Sequence, residues 1–382
     1  MDINFDKNDL KSVLYYLKDT YGMQCFKDRR FIWMIQNLMP DREKYIGLDS
    51  LDYDGTLMKI MNNISSDLQK KIKIIEEARE YNFKLHLDKD GNQLSILTDV
   101  IDYFSNNSYN EEDELTDSEL KPYFDELLSK LEEDLELYMV RCPAGSFMMG
   151  SPENELGRRD DELQHKVTIS KDFYIAVYLT SCNQMRKHGR PGLYGEWPNS
   201  FMPVNNVSKD DAINFLENLN KEYAFYLPPG YAFSLPTEAQ WEYACRAGST
   251  TSLNKDLELT KTEGRDPNLS QIAWYEWNGR DKIHESGRKQ PNNWGIYDML
   301  GNLWEWCYDL ETDYRYFIDN YKEIVDPIGT DGPCVIRGGS AFETPDYCRC
   351  AKRNSAFSGI VAQYIGFRTA LTPVHNHSGK KF

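Results

Sequence analysis

The 382-residue sequence has no run of about 18 apolar residues, so nothing in it reads as a membrane-spanning helix. Its first stretch, Met1 to Lys11, is charged from the second residue and lacks the apolar centre of a signal peptide. Positive charge is also short. The 44 Lys and Arg stand against 61 Asp and Glu, a net charge of −17 that repels phosphate backbones. A cytoplasmic protein with no nucleic-acid partner and no membrane is expected. The eight cysteines are Cys25, Cys142, Cys182, Cys245, Cys307, Cys334, Cys348 and Cys350. They form no CxxC pair and no Cys/His cluster, which argues against structural zinc and reads as reduced thiols. No Gly-rich phosphate loop, nucleophile elbow or Ser/His/Asp grouping is visible.

What is present divides near residue 138. Before it, apolar residues recur at helical spacing: Leu10, Val13, Leu14 and Leu17, then Phe31, Met34, Ile35 and Leu38, then Leu68, Ile72, Ile75 and Ala78. Residues 1–107 are expected to form a small all-α module. Residues 108–137 read as an acidic helical linker, with twelve Asp or Glu between Asn110 and Leu137 and an apolar edge of Leu127, Leu128, Leu131 and Leu135. From Tyr138 the texture changes to Gly, Pro, Trp and Asn, short strands and long loops. Only two segments have strong helix credentials. Ser208 can cap one that carries Ala212, Phe215 and Leu216, and Thr237 with Gln240 forms a capping box for another running to Cys245. The class expected is α+β, over residues 138–372, with a tail at 373–382.

Four stretches in this half carry identity: Cys142-Pro-Ala-Gly-Ser-Phe-Met-Met-Gly-Ser151, the capped segment Phe233 to Gly248, Pro291 to Cys307, and Arg337-Gly-Gly-Ser340 followed by Gly366-Phe-Arg368. Together they resemble the formylglycine-generating enzyme (sulfatase-modifying factor) family. That resemblance implies a C-type-lectin-like fold. Read physically, Trp241, Trp304 and Trp306 suit packing under loops, and Arg337, Arg349, Arg353 and Arg368 suit tying loop carbonyls and carboxylates together.

The segment Asp298 to Glu305 places two hard carboxylates around a tight loop, which is suitable chemistry for calcium. In the family the matching segment binds structural Ca2+ through side chains corresponding to Asp298 and Glu305 and backbone oxygens corresponding to Gly301 and Leu303. The alternative is that the two carboxylates only hydrogen-bond within the loop.

Formylglycine generation, as the resemblance implies it, uses copper held by two thiolates at the third and eighth positions after Gly-Gly-Ser. Here the third position is Glu343 and the eighth is Cys348. A carboxylate is a hard ligand and a poor substitute for a thiolate toward Cu(I), so copper is not expected. Cys350 lies two residues beyond Cys348, and on a strand both would face one side. If the chain is a metal-dependent oxidase, Cys348 is its catalytic residue. A second family branch, the ergothioneine-type sulfoxide synthases, takes iron on histidines from an added helical domain. The first 137 residues contain only His86, which rejects it.

The stretch from Ser340 to Gly366 is also similar to the variable region of bacterial proteins diversified by retroelements. In those a Cys-Arg-x-Ala-x-Arg core lies seven residues after Gly-Gly-Ser and twelve before Gly-Phe-Arg, and Cys348 to Arg353 keeps both spacings. Ala341 stands where a Trp is usual. Independently of that resemblance, Phe342, Tyr347, Phe357 and Tyr364 interleave with Glu343, Thr344, Asp346 and Gln363, the composition of a recognition surface. The expectation is a non-catalytic module that binds a protein or peptide ligand through these residues, the helical module coupling it to another component.

Overall fold

A computed structural model of the chain describes residues 117–189, 201–224, 226–228 and 230–374. The expected all-α module at 1–107, the start of the acidic linker and the tail beyond 374 lie outside the described residues.

The acidic run becomes helix α1 (Asp117–Leu135). Leu127, Leu131 and Leu135 recur every four residues and are all buried, while most of the acids between them point to solvent. The end of α1 is docked, not free. Lys187 donates to the Asp134 carbonyl at 2.8 Å and Gln184 Nε2 to the Leu135 carbonyl at 3.1 Å, satisfying carbonyls that a helix end leaves open. Both donors sit on helix α2 (Cys182–His188), which Ser181 and Gln184 start with a reciprocal capping box.

The compact unit that begins at Asp125 contains three small sheets. In the first, β1 (Met139–Cys142) and β11 (Ala370–Pro373) both flank β4 (Phe173–Ala176), and β5 (Tyr231–Ser234) closes the far edge, all antiparallel. The two ends of the domain are thereby stitched into one sheet. The second sheet runs β10 (Ile365–Gly366), β6 (Trp304–Leu310), β8 (Cys334–Arg337), β9 (Arg353–Ala356), with β10 parallel to β6. The third pairs β2 (Gly145–Met149), β3 (His165–Ile169) and β7 (Ile324–Val325).

The two segments with helix credentials form α3 (Lys209–Glu222) and α4 (Glu238–Arg246). Ser208 with Asp211 caps the first and Thr237 with Gln240 the second. Every residue of α4 is buried, including Glu238, Glu242 and Arg246. Such burial of charge requires pairing. Arg337 reaches Glu238 at 3.0 Å and Glu242 at 2.5 Å, Arg353 reaches Glu238 at 2.7 Å, and Arg246 reaches Glu242 at 2.9 Å. Trp241, Trp304 and Trp306 have no exposed surface, and each indole N–H has an acceptor. Aromatic and arginine side chains thus hold loops that little regular structure supports.

Candidate functional site

The predicted recognition residues lie on two loops that leave the second sheet. Between β8 and β9, Gly338 (φ +100°) and Gly339 (φ +77°) turn the chain sharply; a Cβ on Gly339 would lie 2.7 Å from both Cys348 Sγ and the Tyr347 carbonyl. Ala341 is then buried beneath the short helix α5 (Glu276–Gly279), where a Cβ on Gly279 would meet the Ala341 carbonyl at 2.6 Å. So close an approach leaves no room for a side chain on Gly279.

Phe342, Glu343 and Thr344 follow, half-buried, and Pro345 starts a single 3-10 turn through Tyr347. Glu343 accepts from Trp304 Nε1 at 3.1 Å, and Thr344 donates to Asp346 at 2.6 Å. The Tyr347 ring stands edge-on to Trp304, centroids 6.4 Å apart, and its hydroxyl bonds Arg159 at 2.8 Å. Phe357 and Tyr364 belong to the second loop, between β9 and β10, and are 76% and 40% exposed. Backbone bonds from Asn206 to Ala362 and from Lys209 to Ser358 pin this loop. Trp304 joins the two loops, since its backbone N–H donates to the Tyr364 carbonyl at 2.9 Å.

Two contributors were missed from the sequence. Trp277 is 58% exposed on α5, whose first N–H, at Glu276, donates to the Glu343 carbonyl at 2.9 Å. Arg159 arrives from a loop 188 residues from Tyr347. Neither carries a local signal; only the fold brings them to this face.

Cys348 and Cys350 do not share a strand face. The Pro345 turn carries the chain into a bend, and β9 begins only at Arg353. Cys348 is fully buried under Gly339, and burial with the charges of Glu343 and Asp346 pushes its thiol far above the ordinary range. Cys350 instead faces Cys245, sulfurs 3.6 Å apart in the core, where burial likewise raises the Cys245 thiol. The donor set copper requires, two thiolates at the third and eighth positions, is not assembled: Glu343 holds the third and engages Trp304.

In the Asp298–Glu305 loop the two carboxylates differ. One oxygen of Asp298 accepts from the Gly287 N–H at 2.7 Å, while Oδ1 is buried without a hydrogen-bond partner among the described residues. Burial pushes this carboxyl up to about 6. Glu305 is held by Arg368, at 3.0 and 3.1 Å, and by Trp241 Nε1 at 3.0 Å. Glu305 Oε1 takes only one of these bonds, so a lone pair remains. An orphaned carboxylate oxygen beside a second, partly free one fits a hard cation. Asp298, Glu305 and the carbonyls of Gly301 and Leu303 are the groups that would hold it.

Short strands in three sheets, long loops pinned by buried tryptophans and arginines, and joined domain ends define a C-type-lectin-like domain. Residues 125–373 match the family described as "Sulfatase-modifying factor enzyme 1-like domain", and the chain belongs to that family. It is 29% identical to the mouse formylglycine-generating enzyme over 297 residues, covering 61% of this chain and 74% of that protein. It is 29% identical to the formylglycine-generating enzyme of Thermomonospora curvata over 189 residues, 45% of this chain and about half (56%) of that one. Among solved structures it is similar to PvdO from Pseudomonas aeruginosa, at 27% identity and a TM-score of 0.51 over 61% of this chain and 93% of that one. It is also similar to Treponema denticola variable protein 1, at 26% identity and a TM-score of 0.50 over 61% and 94%.

Proposed function

We propose that this chain is a ligand-binding member of its family, whose Phe342–Tyr364 face, with Trp277, recognises a protein or peptide. The observation that carries the reading is Glu343. At the position where catalysis needs a thiolate, a carboxylate is hydrogen-bonded to Trp304, and the remaining thiol, Cys348, is sealed in the core. Exposed aromatics beside adaptable polar groups on a pinned scaffold support recognition in place of chemistry. Similarity to a variable protein supports a role for this face as a diversified surface. Calcium in the Asp298 loop is part of the same proposal, supported by the orphaned Asp298 oxygen. A cytoplasmic setting is supported by the seven described cysteines, all free and buried.

Two measurements test it. The full chain, loaded with Cu(I), is given a Cys-containing peptide and oxygen uptake is followed; none is expected. Copper-dependent uptake that Cys348→Ser abolishes would establish the metal-dependent oxidase instead. In parallel, a partner captured by the immobilised chain is purified and rebound. Its affinity is expected to fall on Phe342→Ala and Trp277→Ala while the circular dichroism stays unchanged.

A further inference from the structure

Tyr347 is flanked by two cations. The Arg159 guanidinium lies 4.9 Å from the ring centroid and the Lys352 ammonium 4.8 Å from it. Arg159 is exposed, but Lys352 is only 4% exposed, and no carboxylate or hydrogen-bond acceptor pairs with its ammonium among the described residues. The acids around it are committed elsewhere. Glu162 accepts from Arg349 and Ser151, Glu155 from Arg349, Asp346 from Thr344, and Asp160 lies 3.8 Å from Arg158. Asp161 is exposed, and it and Glu162 act on the ammonium through charge, without an ion pair or hydrogen bond to it. Buried cations are ordinarily paired, and two like charges on one ring repel. A phenol face offsets part of that cost. An anion at the ring edge within reach of both cations would offset it, with the Tyr347 hydroxyl, already bonded to Arg159, as a further polar contact.

We propose that Arg159, Lys352 and Tyr347 form a subsite for one oxyanion, a carboxylate or phosphate, at the edge of the recognition face. Burial and the Arg159 charge lower the Lys352 pKa to about 8 and outweigh the attraction of Asp161 and Glu162, so an added anion would stabilise the ammonium further. If the face binds a peptide, as proposed above, this subsite selects for an acidic or phosphorylated residue in it. The anion site itself does not depend on that reading.

Isothermal titration of the full chain at pH 7 tests the subsite with two probes, inorganic phosphate and a short acetylated, amidated peptide containing one glutamate. At least one is expected to bind. Arg159→Gln and Lys352→Met should each weaken that binding tenfold or more, because charge-assisted bonds are lost. Binding of phosphate alone assigns the subsite to a free oxyanion, and stronger binding of the peptide assigns it to a peptide-borne one. No binding of either probe up to about 10 mM at two temperatures, so that a binding enthalpy near zero at one is not mistaken for no binding, or an affinity that neither substitution changes, overturns the proposal. Should Lys352→Met fail to fold, Arg159→Gln, on an exposed side chain, decides alone. Because neither probe is the partner, loss of this subsite and loss of partner recognition are read separately.

Discussion

The indole N–H of Trp304 donates to Oε1 of Glu343 across 3.1 Å, linking residues 39 apart and joining strand β6 to the loop that follows β8. Trp304 is fully buried and touches both halves of the candidate face, through Tyr347 on one side and the Tyr364 carbonyl on the other. Glu343 is therefore an anchor of the face.

Replacing Glu343 by Ala removes the acceptor of a buried indole and should cost about 1–3 kcal/mol in urea unfolding. Glu343→Gln keeps an acceptor and should cost less than half of that. Equal losses for the two variants would show that the carboxylate charge, not the hydrogen bond, matters.

Arg337→Met should destabilise the domain by about 3–5 kcal/mol, because it leaves Glu238 and Glu242 short of charge in the core. Arg337→Lys should recover little. Its single ammonium cannot span the two carboxylates that the fork reaches at 3.0 and 2.5 Å. Guanidinium-chloride midpoints of the three proteins provide the comparison.

Stability should depend on pH at two places near the face. Burial raises the Glu162 pKa, but the hydrogen bonds and charge of Arg349, with Ser151, outweigh it, so its net shift is downward. A depressed carboxylate stabilises the fold above its unfolded value of about 4.3 and loses that stabilisation as pH falls through the folded value. Lys352 gives a slope of the same sign, at alkaline pH. With its folded pKa near 8 against an ordinary 10.5, the unfolded chain holds more protons between those limits, so stability should rise with pH there. Melting temperatures across both ranges check this. Glu162→Gln should flatten the acid limb and Lys352→Met the alkaline rise.

Calcium at about 100 times its Kd should stabilise the full chain by roughly 2.7 kcal/mol, and a chelator should reverse the shift. Asp298→Ala removes the orphaned oxygen and should abolish the response. A calcium shift of the same size in that variant would move the ion elsewhere.

Much of the frame was legible before any coordinates. The capping boxes of Thr237–Gln240 and Ser208–Asp211 are local, each completed within one helical turn, so residue type and spacing suffice to find them. The run from Arg337 to Ser340 was recognisable because its two glycines adopt positive φ, a demand written directly in the residue type. Glu343 stood out only through the resemblance, which implies a thiolate at the third position after Gly-Gly-Ser. The helix of the acidic run was readable too, although its docking on α2 was not.

The sequence by itself determined the class of domain, the start points of its main helices and the residue, Glu343, at the third position after Gly-Gly-Ser. These rest on interactions between residues a few positions apart. Tertiary structure alone decided that Cys350 faces Cys245 and not the side of Cys348, that Trp277 joins the face, and that Arg159 and Lys352 share the ring of Tyr347. Each of these depends on contacts between segments far apart in the chain. No local spacing records such contacts, because packing of the three sheets and their loops sets which distant side chains meet.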